Sequence, residues 1–358
     1  MSLKRECLVV IPALNPKENI LPYVRDIIQE GFTDVVVIND GSKAECSPIF
    51  EELATYNGVS VLNHQMNKGK GAALKTAFEY FLSQKNNHQW IGVITADADG
   101  QHLVKDLMKI FEELENTSGW LLLGTRNFNQ SHVPKKSKFG NKITTSIFRL
   151  FYGKKINDTQ TGLRGISYDL IEKFIAIEGD RFEYEINILI KAVKDGVLIR
   201  EIGIETVYLN DNETSHFRPF IDSFLIYRHL LNHFLIFIGV AMSSFVIDFS
   251  IFQLLIIIFG VLSSGLRISV ASVIARICSS MFNYFVNKKF VFNNKKKVSA
   301  SIFKYYILML VELAISTTLV VIVYRLTFLS ELLSKIFVDS IIFFFSFFIQ
   351  RYIVFRND

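Results

Sequence analysis

Short continuous apolar runs alternate with stretches of helical period through the first half of the chain. The runs are "CLVVIPA" (7–13), "DVVVIND" (34–40), "VSVLNH" (59–64), "WIGVITAD" (90–97) and "WLLLGTR" (120–126), and helical intervals fall at 19–30, 44–55, 70–82 and 103–115. Strands without polar alternation are buried on both faces, and intervening helices make their connections parallel. The pattern predicts an α/β domain with a Rossmann-like, mainly parallel sheet, whose ligands gather beyond the carboxyl ends of the strands. Polar residues at those ends, Asn15, Asn39 to Ser42, Asp97 to Asp99, Thr125 and Arg126, then line one cleft.

After about residue 212 the pattern changes. Phe217, Phe220, Phe224, Leu225 and Tyr227 alternate with His216, Arg218, Asp222, Arg228 and His229. An apolar face opposed by basic residues beside a membrane span reads as interfacial amphipathic helices over 213–233. The other reading is a linker helix packed on the first domain. Four apolar spans follow at about 234–257, 267–287, 304–325 and 335–351, each near the ~20 residues that cross ~30 Å of hydrocarbon. The expected organisation is a domain over 1–212, the interfacial segment, and an all-α transmembrane domain of four helices over 234–358.

The connection "NKKFVFNNKKKVSASIFK" is rich in lysine, whereas "GVLSSG" and "TFLSEL" have none. Positive-inside logic puts that loop, the first domain and the C-terminus in the cytosol of a multi-pass plasma-membrane protein. "FNYFVNKKFVF" (282–292) lines up with "FSFFIQRYIVF" (345–355), which predicts two related hairpins. Asp248, Arg276, Glu312 and Asp339 lie within spans, where ionisable groups pair or line a polar path. Asp248 and Arg276 are candidates for an ion pair.

Composition adds bounds. Half of the 358 residues are apolar and the net charge is +5. Lys288, Lys289 and Lys295 to Lys297 cluster beside a span, which favours anionic headgroups over nucleic acid. Cys7, Cys46 and Cys278 are scattered and odd in number, so they form neither a disulfide framework nor a zinc site. The apolar residues before Pro12 are too few for a signal-peptide core.

"TADADGQHL" (95–103) leaves a buried strand with two carboxylates two residues apart, which repel unless a cation sits between them. Asp97 and Asp99, with Gln101 completing the shell, suit Mg²⁺ or Mn²⁺ bridging a nucleotide diphosphate. An EF-hand loop is set aside, since its third acidic position and distal glutamate are missing. "NKGKGAA" (67–73) offers backbone donors at Gly69 and Gly71 to an anion, but it lacks the Gly-Lys-Ser or Gly-Lys-Thr of an ATPase loop. Asp40 can accept from a base N–H or a ribose hydroxyl.

"VVIPALNPKENI", "VVVINDGS", "NKGKGAALKTAF", "TADADGQH", "GTR" and "DTQTGLRG" occur in the order found in family 2 glycosyltransferases with a GT-A fold. The chain resembles polyprenyl-phosphate sugar transferases of the dolichol-phosphate mannose synthase type, and its membrane half resembles the GtrA-like four-span domain. The resemblance implies that Pro12, Ala13, Asn15, Glu18, Asp40, Lys70, Asp97 and Ala98 hold a nucleotide-sugar donor. The family's Asn-Glu pair appears here as Asn15-Pro16, which displaces Glu18. Asp97, Asp99 and Gln101 would hold the metal, and Arg126 would meet phosphate. Arg164 is either structural or a phosphate contact. In "ETSHFRP", Ser215 and His216 stand where relatives have a Ser-Lys pair, and Arg218 can supply the missing charge. Lys136 and Lys138 would screen the acceptor phosphate.

A lipid phosphate is largely dianionic at neutral pH, with a second pKa of about 6, so it needs positioning more than a strong base. Attack opposite the nucleotide inverts the anomeric centre. Glu183 and Glu185, in "GDRFEYEINIL", lie where transferases with hydroxyl acceptors keep a base; the other reading is that they orient arginines or sugar hydroxyls. The expected reaction moves a hexose from a UDP- or GDP-sugar to undecaprenyl phosphate on the cytosolic leaflet, for cell-envelope glycosylation. Transfer to a glycolipid or wall-polymer hydroxyl, and flipping of a lipid-linked sugar, stay open, as does a homo-oligomer.

Overall fold

The structure is a computed structural model, which describes residues 5–84, 86–128, 133, 135–205, 219–261, 263–294 and 298–356. Contacts divide the chain into two units, residues 1–230 and 231–358.

The first unit is built on strands β1 (Arg5–Ala13), β2 (Phe32–Asn39), β3 (Val59–Asn63), β4 (Gly92–Thr95), β5 (Trp120–Arg126), β6 (Arg164–Ser167) and β7 (Leu198–Ile204). Its helices are α1 (Ile20–Gln29), α2 (Ser47–Ala54), α3 (Lys70–Ser83), α4 (Val104–Glu115), α5 (Lys135–Tyr152), α6 (Tyr168–Ile175), α7 (Glu183–Lys194) and α8 (Pro219–Leu230). The sheet order is β3-β2-β1-β4-β6-β5-β7. The apolar runs alternate between two cores, as strands covered on both faces must. Leu8, Val10, Val36, Ile38 and Val93 face α3, α6 and α7, whereas Cys7, Val9, Ile11, Val35, Val37 and Ile94 face α1, α2 and α4.

All pairings are parallel except those of β6, which runs antiparallel between β4 and β5. This wedge separates two strands that follow one another in the chain. It carries the turn ahead of β6 to the end of β4, where Thr95 Oγ1 donates to the Gly162 carbonyl at 2.7 Å.

One face of α8 packs on the first unit. Asp222, Ile226 and Leu230 are buried, and the helix packs on α5 and α7. Tyr152 Oη donates to the Leu230 carbonyl at 3.1 Å. The contact boundary therefore falls at 230/231 rather than at 212, because one face of α8 completes the core of the first unit. Phe224, on its outer side, remains exposed.

The second unit contains α9 (Asn232–Ile258), α10 (Ser264–Val286), α11 (Val298–Leu326) and α12 (Glu331–Ile349). Four helices are long and apolar enough to cross a membrane: Asn232–Ile258, Leu266–Val291, Ser301–Leu326 and Glu331–Val354. Asp248 accepts from Ser279 Oγ at 2.8 Å and lies 3.6 Å from Arg276, so the paired intramembrane charges expected from sequence do meet. The two sequence repeats close their hairpins alike. Each ends in a wide turn, at Asn287–Val291 and at Gln350–Val354. Equivalent residues touch: Asn287 Nδ2 donates to Gln350 Oε1 at 3.5 Å, and Phe292 stacks on Phe355 at 5.1 Å.

Candidate active site

A cavity of about 670 Å³ opens beyond the ends of β1, β2 and β4. Of the residues expected to hold a donor, Pro12, Ala13, Asn15, Asp40, Lys70, Asp97, Ala98 and Asp99 line it. Glu18 is exposed and lies outside this lining, consistent with its displacement by Pro16.

Hydrogen bonds between loops hold the rim. Asn15 adopts a left-handed conformation (φ 46°), which asparagine tolerates because its side chain bonds locally. Its Oδ1 accepts from the Lys43 N–H at 2.8 Å, and its own N–H donates to Ser42 Oγ at 2.8 Å. Asn19 Nδ2 donates to the Asp99 carbonyl at 2.8 Å, joining the first loop to the carboxylate turn.

Asp40 is nearly fully buried and already engaged. Oδ1 meets His64 Nδ1 at 2.7 Å and the Lys68 N–H at 2.9 Å, and Oδ2 accepts from the Gly69 N–H at 2.8 Å. Its carboxylate therefore shapes the loop before α3 from a place in the cavity lining. The glycines of that loop have a packing reason. A Cβ on Gly69 (φ 104°) would lie 2.3 Å from the Asp180 carbonyl oxygen, and one on Gly71 would lie 2.6 Å from Tyr184 Cβ. Close approach to 180–184 brings Arg181 and Phe182 into the cavity lining. Those two were missed in sequence; the glycine spacing signalled a close approach but not its partner.

Lys70 Nζ lies 2.7 Å from Asp97 Oδ1 and 3.0 Å from Glu185 Oε2. Burial works to lower the Lys70 pKa, but Asp97 and then Glu185 outweigh it and hold the ammonium above its ordinary range. The other oxygen of Asp97 meets His102 Nε2 at 3.2 Å. Burial would raise the Asp97 pKa, yet Lys70 and His102 hold it well below the carboxylate range. Asp99 goes the opposite way: burial first, then the Asp97 charge, raises its pKa. Asp99 Oδ1 accepts from the Gln101 N–H at 3.0 Å, and its Oδ2 has no hydrogen bond among the described residues.

These donors decide how a divalent cation fits. Asp99 lines the cavity, and its carboxylate oxygens are hard donors that suit a divalent cation. Asp97 also lines the cavity, and its two oxygens meet Lys70 and His102. The Gln101 side chain is buried and is not among the lining residues. Among the described residues no cluster of three or more His, Cys, Asp or Glu side chains forms a ready-made metal cage.

Arg126, expected at phosphate, and Arg164, read as either structural or a phosphate contact, both have partners within the first unit. Arg126 makes a two-pronged pair with Asp158, Nε to Oδ2 at 2.6 Å and Nη2 to Oδ1 at 3.0 Å. Arg164 is 1% exposed and donates to the carbonyls of Thr161 at 3.0 Å and Glu185 at 2.8 Å. Arg164 is not among the residues that line the cavity. Glu183 Oε1 accepts from the Asp180 and Arg181 N–H groups, so it shapes the loop ahead of α7. Glu185 reaches the site through Lys70 alone among its described partners. Lys138 is exposed on α5, the Lys136 side chain lies outside the described residues, and so do Ser215, His216 and Arg218.

Gly162 packs against this carboxylate. A Cβ there would lie 2.3 Å from Asp97 Oδ2. Gly162→Ala is expected to displace Asp97 and lower kcat about 100-fold, the usual cost of a misplacement near 1 Å. Far-ultraviolet circular dichroism should remain native. Full activity would show that the Asp97 position is unimportant.

A seven-stranded, mostly parallel sheet with its cavity at the strand ends, joined to four apolar helices, defines a GT-A-like catalytic domain carried on a membrane domain. Residues 8–175 match the model of glycosyl transferase family 2, and residues 232–355 match that of the GtrA/DPMS transmembrane domain. An uncharacterised protein of Methanocaldococcus jannaschii is 33% identical over 57% of this chain and 83% of its own length. The UDP-N-acetylglucosamine–dolichyl-phosphate N-acetylglucosaminyltransferase of Methanococcus voltae is 28% identical over 62% of this chain and 94% of its own. A dolichyl-phosphate beta-glucosyltransferase of Trichomonas vaginalis is 25% identical over 55% of this chain and 64% of its own. The chain belongs to glycosyl transferase family 2, and it is a glycosyltransferase with a GtrA/DPMS-type membrane domain.

Proposed function

We propose that this protein transfers a hexose from a UDP- or GDP-sugar to a polyprenyl phosphate, undecaprenyl phosphate first among acceptors, on the cytosolic leaflet. The observation that carries this reading is a donor-sized cavity in a chain that also holds four helices long and apolar enough to cross a membrane, in a region matching the GtrA/DPMS transmembrane domain. The names of the Methanococcus and Trichomonas relatives support a lipid-phosphate acceptor.

The donor's nucleoside lies against Pro12, Ala13 and the loop after β1. Its diphosphate faces Asp99, Lys17 and Arg181, the last two being basic residues of the lining that sequence reading did not single out. Asp99 would hold Mg²⁺ or Mn²⁺, which would supply charge neutralisation for the departing diphosphate. An acceptor phosphate oxygen forms a bond to the anomeric carbon. The bond from that carbon to the nucleotide's terminal phosphate oxygen breaks, and its electron pair leaves with the nucleoside diphosphate. The acceptor is already an anion, so no side chain need take a proton. Glu185, held by Lys70, is a positioning residue in this scheme. Lys136, Lys138, Ser215, His216 and Arg218 are retained as candidates for the acceptor phosphate.

The purified full chain, given Mn²⁺, a panel of labelled UDP- and GDP-hexoses, and undecaprenyl or dolichyl phosphate, is expected to form an organic-soluble product that mild acid releases. No product with any donor would overturn the proposal. An acid-stable product would move the acceptor to a hydroxyl.

A further inference from the structure

The ammonium of Lys70 stands between two carboxylates at the floor of the cavity, 2.7 Å from Asp97 and 3.0 Å from Glu185. Lys70 is about one-seventh exposed and Glu185 less so, which makes this a sheltered pair of contacts. The other Glu185 oxygen, Oε1, is buried with no hydrogen-bond partner. Without Lys70, the Asp97 and Glu185 carboxylates would both face the place its ammonium vacates, with His102 as the remaining described side-chain partner of Asp97. Carboxylate oxygens are the hard donors a divalent cation takes.

We propose that Lys70 is a resident cation of the active site, which holds Asp97 away from divalent metal, so that the ion binds on the Asp99 side and only with the donor's phosphates. The paired aspartates thus divide their work. Asp97 anchors the lysine, and Asp99 receives the metal. The ammonium also fixes Glu185, tying α7 to the carboxylate turn through α3. A site built this way holds metal weakly when empty, because one of its two carboxylates is already neutralised. It gains affinity when a nucleotide diphosphate brings further oxygens. This deepens the donor-cavity reading and rests on it.

Mn²⁺ binding to the full chain in detergent, followed by electron paramagnetic resonance without any sugar nucleotide, tests the assignment separately from transfer activity. Lys70→Met is expected to bind Mn²⁺ at least tenfold more tightly than the native chain. Lys70→Arg, which keeps the charge, should bind as weakly as the native chain. The double variant Lys70→Met with Asp97→Asn should return most of the gain, since neighbouring sites couple. If unpaired carboxylates prevent Lys70→Met from folding, Lys70→Met with Glu185→Gln removes one of them and should still bind more tightly than the native chain.

Tryptophan fluorescence reports folding, because Trp90 and Trp120 are the chain's only tryptophans and both lie in the first unit. Mn²⁺ affinity unchanged by loss of the lysine in a folded variant would overturn the proposal. So would micromolar binding by the native chain without donor. Tighter binding by the variants from a chain that transfers no sugar would sustain the inference and remove the functional reading instead.

Discussion

Asp99→Asn is expected to reduce sugar transfer at least about 100-fold while leaving the first unit more stable at neutral pH than the native chain, measured without metal or donor. The rate loss follows from the proposed role of Asp99 in holding the cation that would neutralise the departing diphosphate; loss of one preorganised electrostatic contact costs about 10²-fold to 10³-fold. The stability gain follows from the direction of its titration. Burial and the Asp97 charge raise the Asp99 pKa, so the folded state binds a proton more readily than the unfolded state. Below the ordinary carboxylate range both states are protonated and Asp99 costs nothing. As pH rises from that range through the folded-state value, the ionised group makes folding less favourable. An asparagine lacks that cost, so the difference between the variants should open with rising pH.

Asp97 carries the opposite sign. Its lowered pKa contributes stability that is present above the ordinary carboxylate range and is lost as pH falls from that range through the lower folded-state value, so Asp97→Asn should destabilise at neutral pH. Denaturant midpoints from tryptophan fluorescence at several pH values measure both. A native-like or higher rate in Asp99→Asn, or a lowered midpoint at pH 7, would contradict this account.

Arg126→Ala is expected to destabilise the first unit by about 3–5 kcal/mol, the range for removing one partner of a buried ion pair. Asp158 is fully buried, and both prongs of the guanidinium pair with it. Arg126→Lys should recover only part of the loss, since an ammonium cannot reproduce the two-pronged geometry. The midpoint of tryptophan unfolding checks this, with Trp120 on the same strand as Arg126. If Arg126 instead served donor phosphate, the alanine variant would lose activity while its unfolding midpoint stayed near that of the native chain. The two readings of "GTR" are thereby separated.

Much of the fold was legible because its strands are buried on both faces. "CLVVIPA", "DVVVIND", "VSVLNH" and "WLLLGTR" each became a strand within a residue or two of the run. The four spans were legible for a similar reason, since length and apolarity alone make a membrane-crossing helix. The repeat "FNYFVNKKFVF" and "FSFFIQRYIVF" also announced a shared build, which the matching wide turns realise. β6 was not legible as an antiparallel wedge. Strand order reflects which edges meet in space, and a four-residue strand carries too little pattern to declare its partner. α8 carried an amphipathic pattern that fits a lipid surface or a protein surface equally; Asp222, Ile226 and Leu230 buried on the first unit decide for one face.

The sequence by itself determined which polar residues end the strands, and therefore that Asp97, Asp99, Lys70 and the loop after β1 share a cleft in a domain attached to membrane spans. Only the tertiary structure decided how those charges are spent. Arg126 goes to Asp158, Arg164 to backbone carbonyls, Asp40 to the loop before α3, and Lys70 to Asp97 and Glu185. The reason is physical. Backbone period and hydrophobicity are local properties of a segment, whereas the partner of a buried charge depends on which other charges lose their water in the same few ångströms.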